Sequence, residues 1–210
     1  MENLIPEQAH SDHYVHGYDH KPRWLAYFYQ IDTVLRLKKH SVLEVGPGNG
    51  TVSSYLRMSG MEVTTADIDP EHKPTVVASI LALPFEDNTF DVGMACEVLE
   101  HIPFEEVPIA LGELARVSKE YVLISLPDVR RSLLHLVLKI PFFKEIAFRV
   151  RVMTNKLHVF NVGHYWEIGK RGYSPSRIRA LIEMCNLTLV DEFVSHDAPF
   201  FHFFLMRKSD

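Results

Sequence analysis

The stretch SVLEVGPGNG, residues 41–50, runs from a short apolar segment straight into three glycines within five positions, Gly46, Gly48 and Gly50. Glycine admits positive φ and lets another molecule touch the main chain. A turn of this kind after a strand forms the usual floor of the ligand crevice beyond the carboxyl ends of an open α/β sheet. The bland alternative is a tight turn with no ligand. Dinucleotide spacing, G-x-G-x-x-G, would need a glycine at position 51, where the chain has Thr51.

The flanking pattern agrees with such a sheet. Strand-like apolar runs lie at 41–45, 61–66, 75–78, 90–95 and 121–126, separated by helical spacings at 50–59 and 105–119. Several of these runs are almost continuously apolar, as strands covered on both faces are. Ahead of them, residues 22–39 place Trp24, Phe28, Ile31 and Leu35 at helical spacing behind Pro22, which predicts an amphipathic helix. Toward the C-terminus, Ser174-Pro175 opens a helix carrying Ile178, Leu181, Ile182 and Cys185, and Asn186 is placed to stop it. Two strands follow at 187–193 and 200–206, joined by a short link with Asp197 and Pro199. Strands this close pair antiparallel, so the expectation is a mostly parallel sheet with an antiparallel C-terminal edge.

With 210 residues, 47% of them hydrophobic, the chain suits one domain with a substantial core. A net charge of -5 argues against nucleic-acid binding driven by bulk charge. The first residues lack the basic start and apolar run of a secretion signal, and no segment of about 20 uncharged apolar residues could span a bilayer. The expected location is cytoplasmic. Cys96 and Cys185 are too few for a disulfide framework and read as free thiols.

The spacing G-x-G-x-G, with Glu44 two residues before its first glycine, resembles motif I of the class I S-adenosylmethionine-dependent methyltransferases. VTTADIDP is similar to that family's second strand and its end, LALPFEDNTFDVGMACEVLEHIP to its third-strand exit and fourth strand, and YVLISLPD to its fifth, so the resemblance covers residues 41–128. It implies a Rossmann-like, doubly wound α/β fold with a seven-stranded sheet, divided into an N-terminal lid and helix (1–40), a cofactor-binding core (41–128), a substrate-side insertion (129–173) and a C-terminal helix and hairpin (174–210). It also implies a cofactor pocket. Gly46, Pro47 and Gly48 would line the methionine portion, with Glu44 orienting the loop. Asp67 would hold the ribose and Ile68 lie against the adenine, whose edge Ser79, Ile80 and Leu81 would read. Cys96 and Glu97 would close the floor. Many relatives have Asp where this chain has Ser79, which moves adenine recognition there toward the main chain of Ile80. For Asp67 the competing role is a turn carboxylate before Pro70, for which Asp69 is the other candidate. Tyr14, Tyr18 and Arg23 would form a lid or simply a surface helix.

The donor's sulfonium is already electrophilic, so the protein chiefly has to align an acceptor, and proximity can supply roughly 7–11 kcal/mol. A hydroxyl acceptor also needs a base, and CEVLEHIP offers Glu97, Glu100 and His101 beside the cofactor. His101 is the candidate base, against a mere loop cap before Pro103. E-x-x-E-H is also similar to the divalent-metal site of ubiquinone-pathway O-methyltransferases and small-RNA 2′-O-methyltransferases. That likeness implies ligands at Glu97, Glu100 and His101, with His164 a distant fourth, although relatives without metal share the pentapeptide. His164 would wall the substrate, and Trp166 would pack in the core. The function expected is S-adenosylmethionine-dependent methylation of a small or lipid-like acceptor, at oxygen in preference to nitrogen or carbon. The rivals are a nicotinamide-dependent oxidoreductase and a non-catalytic S-adenosylmethionine-binding partner protein.

Residues 129–160 stand apart. They carry Arg130, Arg131, Lys139, Lys144, Arg149, Arg151 and Lys156 against one acid, Glu145, with apolar residues between. One reading is a lid that buries Leu133, Leu134, Leu136, Val137, Leu138, Ile140, Phe142 and Phe143. The other is a surface in peripheral contact with anionic lipid.

Overall fold

The computed structural model describes residues 18–140, 142, 146–161 and 163–209. Tyr14, Phe143, Lys144 and Glu145 lie outside these.

Helix α1 (Lys21–Arg36) leads into strand β1 (Ser41–Val45), helix α2 (Thr51–Met58) and strand β2 (Glu62–Asp67). Strand β3 is only Val76–Val77, shorter than the apolar run 75–78 suggests. Strand β4 (Phe90–Cys96), helix α3 (Val107–Val117) and strand β5 (Ser118–Pro127) complete the central repeat. The Ser118 hydroxyl donates to Leu114 O at 2.6 Å, closing α3 and letting β5 begin three residues before its apolar run. A two-stranded hairpin, β6 (Arg131–Leu138) and β7 (Ile146–Val152), follows as a separate sheet. Helix α4 (Pro175–Met184) is capped by the Ser174 side chain, which accepts from Arg177 N–H, and Asn186 ends the segment at φ 56. Strands β8 (Leu187–Val194) and β9 (Phe201–Lys208) finish the chain.

The seven-stranded sheet has the order β3-β2-β1-β4-β5-β9-β8. Strands β3 to β5 are parallel throughout, and β9 pairs antiparallel with both β5 and β8. This is the doubly wound, Rossmann-like arrangement with an antiparallel C-terminal edge. Strand alternation sends Val42 and Leu123 to a core shared with α1 and α2, and Leu43, Val122 and Ile124 to one shared with α3 and α4. The order reverses between β1 and β4, so the crevice at their carboxyl ends is the switch point.

Two expectations need correction. Helix α1 does not bury the Trp24–Phe28 side, since both of those residues are more than half exposed. It packs through Ala26, Tyr27, Gln30, Thr33 and Val34, whose smaller members let the helix approach closely. The insertion likewise does not bury its apolar residues. Leu133 is 68% exposed, Leu136 57% and Phe142 106%, and Leu134, Val137, Leu138 and Ile140 are exposed too. A two-stranded ribbon has two open faces and covers only what it lies against. Among the described residues, no helix is long and apolar enough to cross a membrane.

Candidate active site

Strand β1 ends in three left-handed glycines, with φ of 71° at Gly46, 53° at Gly48 and 73° at Gly50. Gly46 N–H donates to Ala66 O at 2.9 Å, tying the loop to β2. A Cβ on Gly46 would stand 2.5 Å from Val98 Cγ2, so the loop and the β4 exit touch only because that side chain is missing. Gly50 is the N-cap of α2, and Asn49 Oδ1 accepts Thr51 N–H at 3.1 Å, so the positive end of the helix dipole faces the loop. Glu44 sits beneath, on the α2 side of β1. Its Oε2 is buried without a hydrogen-bond partner. Burial pushes its carboxyl up to about 8, against the opposing hydrogen bond of Ser53 and charge of Arg57.

At the end of β2, Asp67 Oδ1 accepts Asp69 N–H at 2.9 Å and Oδ2 lies 3.0 Å from His72 Nδ1. Asp69 in turn caps the 3-10 turn Pro70–His72 by accepting Glu71 N–H at 2.9 Å. Asp69 thus caps the 3-10 turn while Asp67 makes the turn bond before it, and both Asp67 oxygens have partners within the protein. Ile68 is partly exposed beside Asp67, and Ile80 is buried. Ser79 turns its hydroxyl to Leu81 N–H at 3.2 Å.

The β4 exit carries the ionisable groups. Glu97 has φ 56, an unusual backbone state for a non-glycine residue, and its N–H donates to Ser125 O at 3.0 Å. Ser125 Oγ donates to Glu97 Oε1 at 2.9 Å. Burial raises the Glu97 carboxyl to about 6, with Arg23 the main opposing influence. Burial also pushes the Cys96 thiol up. Glu100 is fully buried, neither carboxylate oxygen has a hydrogen-bond partner, and burial followed by the Glu97 charge drives its carboxyl well upward.

His101 turns Nδ1 to the Gly163 carbonyl at 3.1 Å, and its ring meets that of His164 edge-on at 4.9 Å. His164 Nδ1 is 3.1 Å from Glu167 Oε1, a contact that holds the Glu167 carboxyl below the usual range. One ligand atom each from Glu100, His101 and His164 falls within 4.8 Å of the others. The structure therefore gathers Glu100, His101 and His164, whereas Glu97 is tied to Ser125 and stands outside the group. His164 joins the cluster directly. Trp166 is buried and donates Nε1–H to Ile102 O at 3.2 Å, as a packing residue would. Arg23 lies 4.7 Å over the Tyr18 ring and 5.1 Å from that of Phe201. Ser125, Glu167 and His72 were not foreseen. Only Glu167, three residues after His164, left a local trace.

Residues 43–124 match the family model described as a methyltransferase domain. Magnesium protoporphyrin IX methyltransferase of Synechocystis PCC 6803, solved with bound SAM, superposes with a TM-score of 0.60 at 14% identity, covering 90% of this chain and 80% of that one. The 1,6-didemethyltoxoflavin-N1-methyltransferase of Burkholderia thailandensis, solved with its acceptor and S-adenosylhomocysteine, gives 0.60 at 16% identity over 89% and 81%. A Pyrococcus horikoshii OT3 protein gives 0.60 at 16% identity over 91% and 93%. No curated protein matches the chain. Residues 43–124 are thus similar to a methyltransferase domain, and the chain shares the fold of these solved structures.

Proposed function

We propose that the protein is an S-adenosylmethionine-dependent methyltransferase that transfers the donor's methyl group to a hydroxyl oxygen of a small or lipid-like acceptor, and that Glu100, His101 and His164 activate that hydroxyl around a divalent cation. The observation that carries this reading is the buried Glu100 carboxyl, both oxygens unpaired, within reach of two imidazoles whose Nδ1 atoms are already anchored. An unpaired buried carboxyl is costly, and a cation would satisfy it. The Gly163 carbonyl behind His101 and the Glu167 carboxylate behind His164 would hold histidine ligands in one tautomer and orientation. Bound there, a divalent ion would polarise the hydroxyl and lower its pKa.

The chain's own residues do the rest. The glycine loop, with Pro47 and Glu44, receives the methionine portion of the donor. Asp67 accepts from the ribose, with Ile68, Ser79, Ile80 and Leu81 around the adenine and Cys96 and Glu97 as floor. His101 is the residue that takes the hydroxyl proton where no cation is held. Chelation should abolish turnover, and magnesium or manganese should restore it, while S-adenosylhomocysteine binding stays unchanged. Turnover indifferent to chelator contradicts the metal; a labelled methyl recovered on nitrogen contradicts the oxygen acceptor, and the toxoflavin N1-methyltransferase with this fold makes that the alternative to watch.

The exposed hairpin supports peripheral contact with anionic lipid. Leu134, Leu136 and Leu138 oppose Val150, Phe148 and Ile146 across the ribbon, forming one apolar face. All six are exposed. Co-sedimentation with anionic vesicles, lost in a Leu136→Asp/Phe148→Asp variant, is the expected result. Equal sedimentation of the variant contradicts it.

A further inference from the structure

The opposite face of the same hairpin has different chemistry. Residues two apart on a strand share a face, so Ala147, Arg149 and Arg151 of β7 turn together away from the apolar ladder. With Arg130, Tyr29, Ser195 and His196 they line a cleft of about 590 Å³ between the hairpin and the end of β8. Among the described residues no carboxylate lines it, and Asp197 stands beside it, accepting from Tyr29 Oη at 3.0 Å and from Ser195 Oγ. Asp128, behind the wall, takes Arg130 Nη2 and Arg151 Nη1 at 2.7 Å each and His202 Nδ1 at 3.0 Å, so this anion is shared by two guanidiniums and an imidazole. Among the described residues Arg149 makes no ion pair with a carboxylate. It donates to Ser132 Oγ at 3.1 Å and to the His196 carbonyl, and lies against the His135 ring.

The Nε atoms of both Arg149 and Arg151 are buried and make no hydrogen bond, although the Arg151 side chain is only 8% exposed. A buried N–H without an acceptor costs free energy that a ligand oxygen would recover. The two donors sit on one face of one strand, roughly 7 Å apart by strand rise. A tetrahedral oxyanion with several acceptor oxygens suits paired guanidiniums. The cleft's volume leaves room for the group esterified to it.

We propose that this cleft is a binding site for a phosphate group, carried by a soluble phosphate ester or by a lipid headgroup, with Arg149 and Arg151 as its principal donors. The cleft requires neither a particular methyl acceptor nor the metal cluster. It opens where β5 ends at Pro127, on the same edge of the sheet as Glu97 and Glu100.

The test uses the full chain saturated with S-adenosylhomocysteine, so that retained nucleoside binding reports a folded protein. Inorganic phosphate and pyrophosphate are titrated by calorimetry, and phosphatidylcholine vesicles with and without phosphatidic acid are floated. Saturable pyrophosphate binding, weakened about tenfold in Arg149→Gln and less in Arg149→Lys, supports a soluble ester. Binding only to phosphatidic acid vesicles, lost in Arg149→Gln, supports a headgroup. Absence of all three interactions in the wild-type protein overturns the site, and so does binding that Arg149→Gln leaves intact. Arg130→Gln, at a more exposed member of the trio, repeats the test if Arg149→Gln loses nucleoside binding.

Discussion

At Gly46 a methyl group would meet Val98 Cγ2 at 2.5 Å on a backbone already at φ +71. Gly46→Ala should therefore weaken S-adenosylhomocysteine binding at least about tenfold and cost about 1–3 kcal/mol of stability. Adding Val98→Ala should return part of both, as calorimetry and denaturant unfolding would show. Glu44 offers a pH test. Its carboxyl titrates near 8 when folded and in the ordinary carboxylate range when unfolded, so the unfolded chain loses its proton first as pH rises. Its contribution is fully present below about pH 4 and is lost as pH climbs toward 8. Glu44→Gln should flatten that decline in the apo protein, and an unchanged slope would contradict the burial assigned to Glu44. The loop, Glu44, Asp67 and the Glu97–His101 run were readable because each lies at a strand exit, where local pattern fixes position. His72 behind Asp67, Ser125 under Glu97 and the approach of His164 to His101 were not, because each is created by a tertiary contact between distant segments.

Among elements, the order of strands and helices was legible from apolar runs and turn residues, and the β6–β7 hairpin was not. LLHLVL reads as a buried segment of either type, and alternation on β7 mixes arginine with valine and phenylalanine, so neither period identifies the element. The α1 face was misjudged for a related reason, because large apolar residues were expected inward and the close-packed side is the one with Ala26 and Thr33. The hairpin pairs only with itself within its sheet. Replacing residues 131–152 by a short glycine-serine turn should leave a folded protein that still binds S-adenosylhomocysteine, while vesicle binding disappears. Loss of nucleoside binding would show instead that the hairpin supports the core.

For the whole molecule, the parallel order β2-β1-β4-β5 brings Asp67, the glycine loop, Glu97 and Asp128 to one edge, although they are widely spaced along the chain. Saturating this edge with S-adenosylhomocysteine at about 100 times its dissociation constant should stabilise the fold by about 2.7 kcal/mol. Thermal unfolding should shift upward accordingly, with the Asp67→Asn protein shifting much less. The most direct test of the account is incubation of the protein and divalent metal with isotope-labelled S-adenosylmethionine and a cell metabolite extract, followed by mass spectrometry of the labelled product. The account predicts one labelled small molecule or lipid whose new methyl sits on oxygen, absent when Glu100→Gln/His101→Ala replaces the wild type. Label on nitrogen or carbon, or equal labelling by that variant, would contradict it.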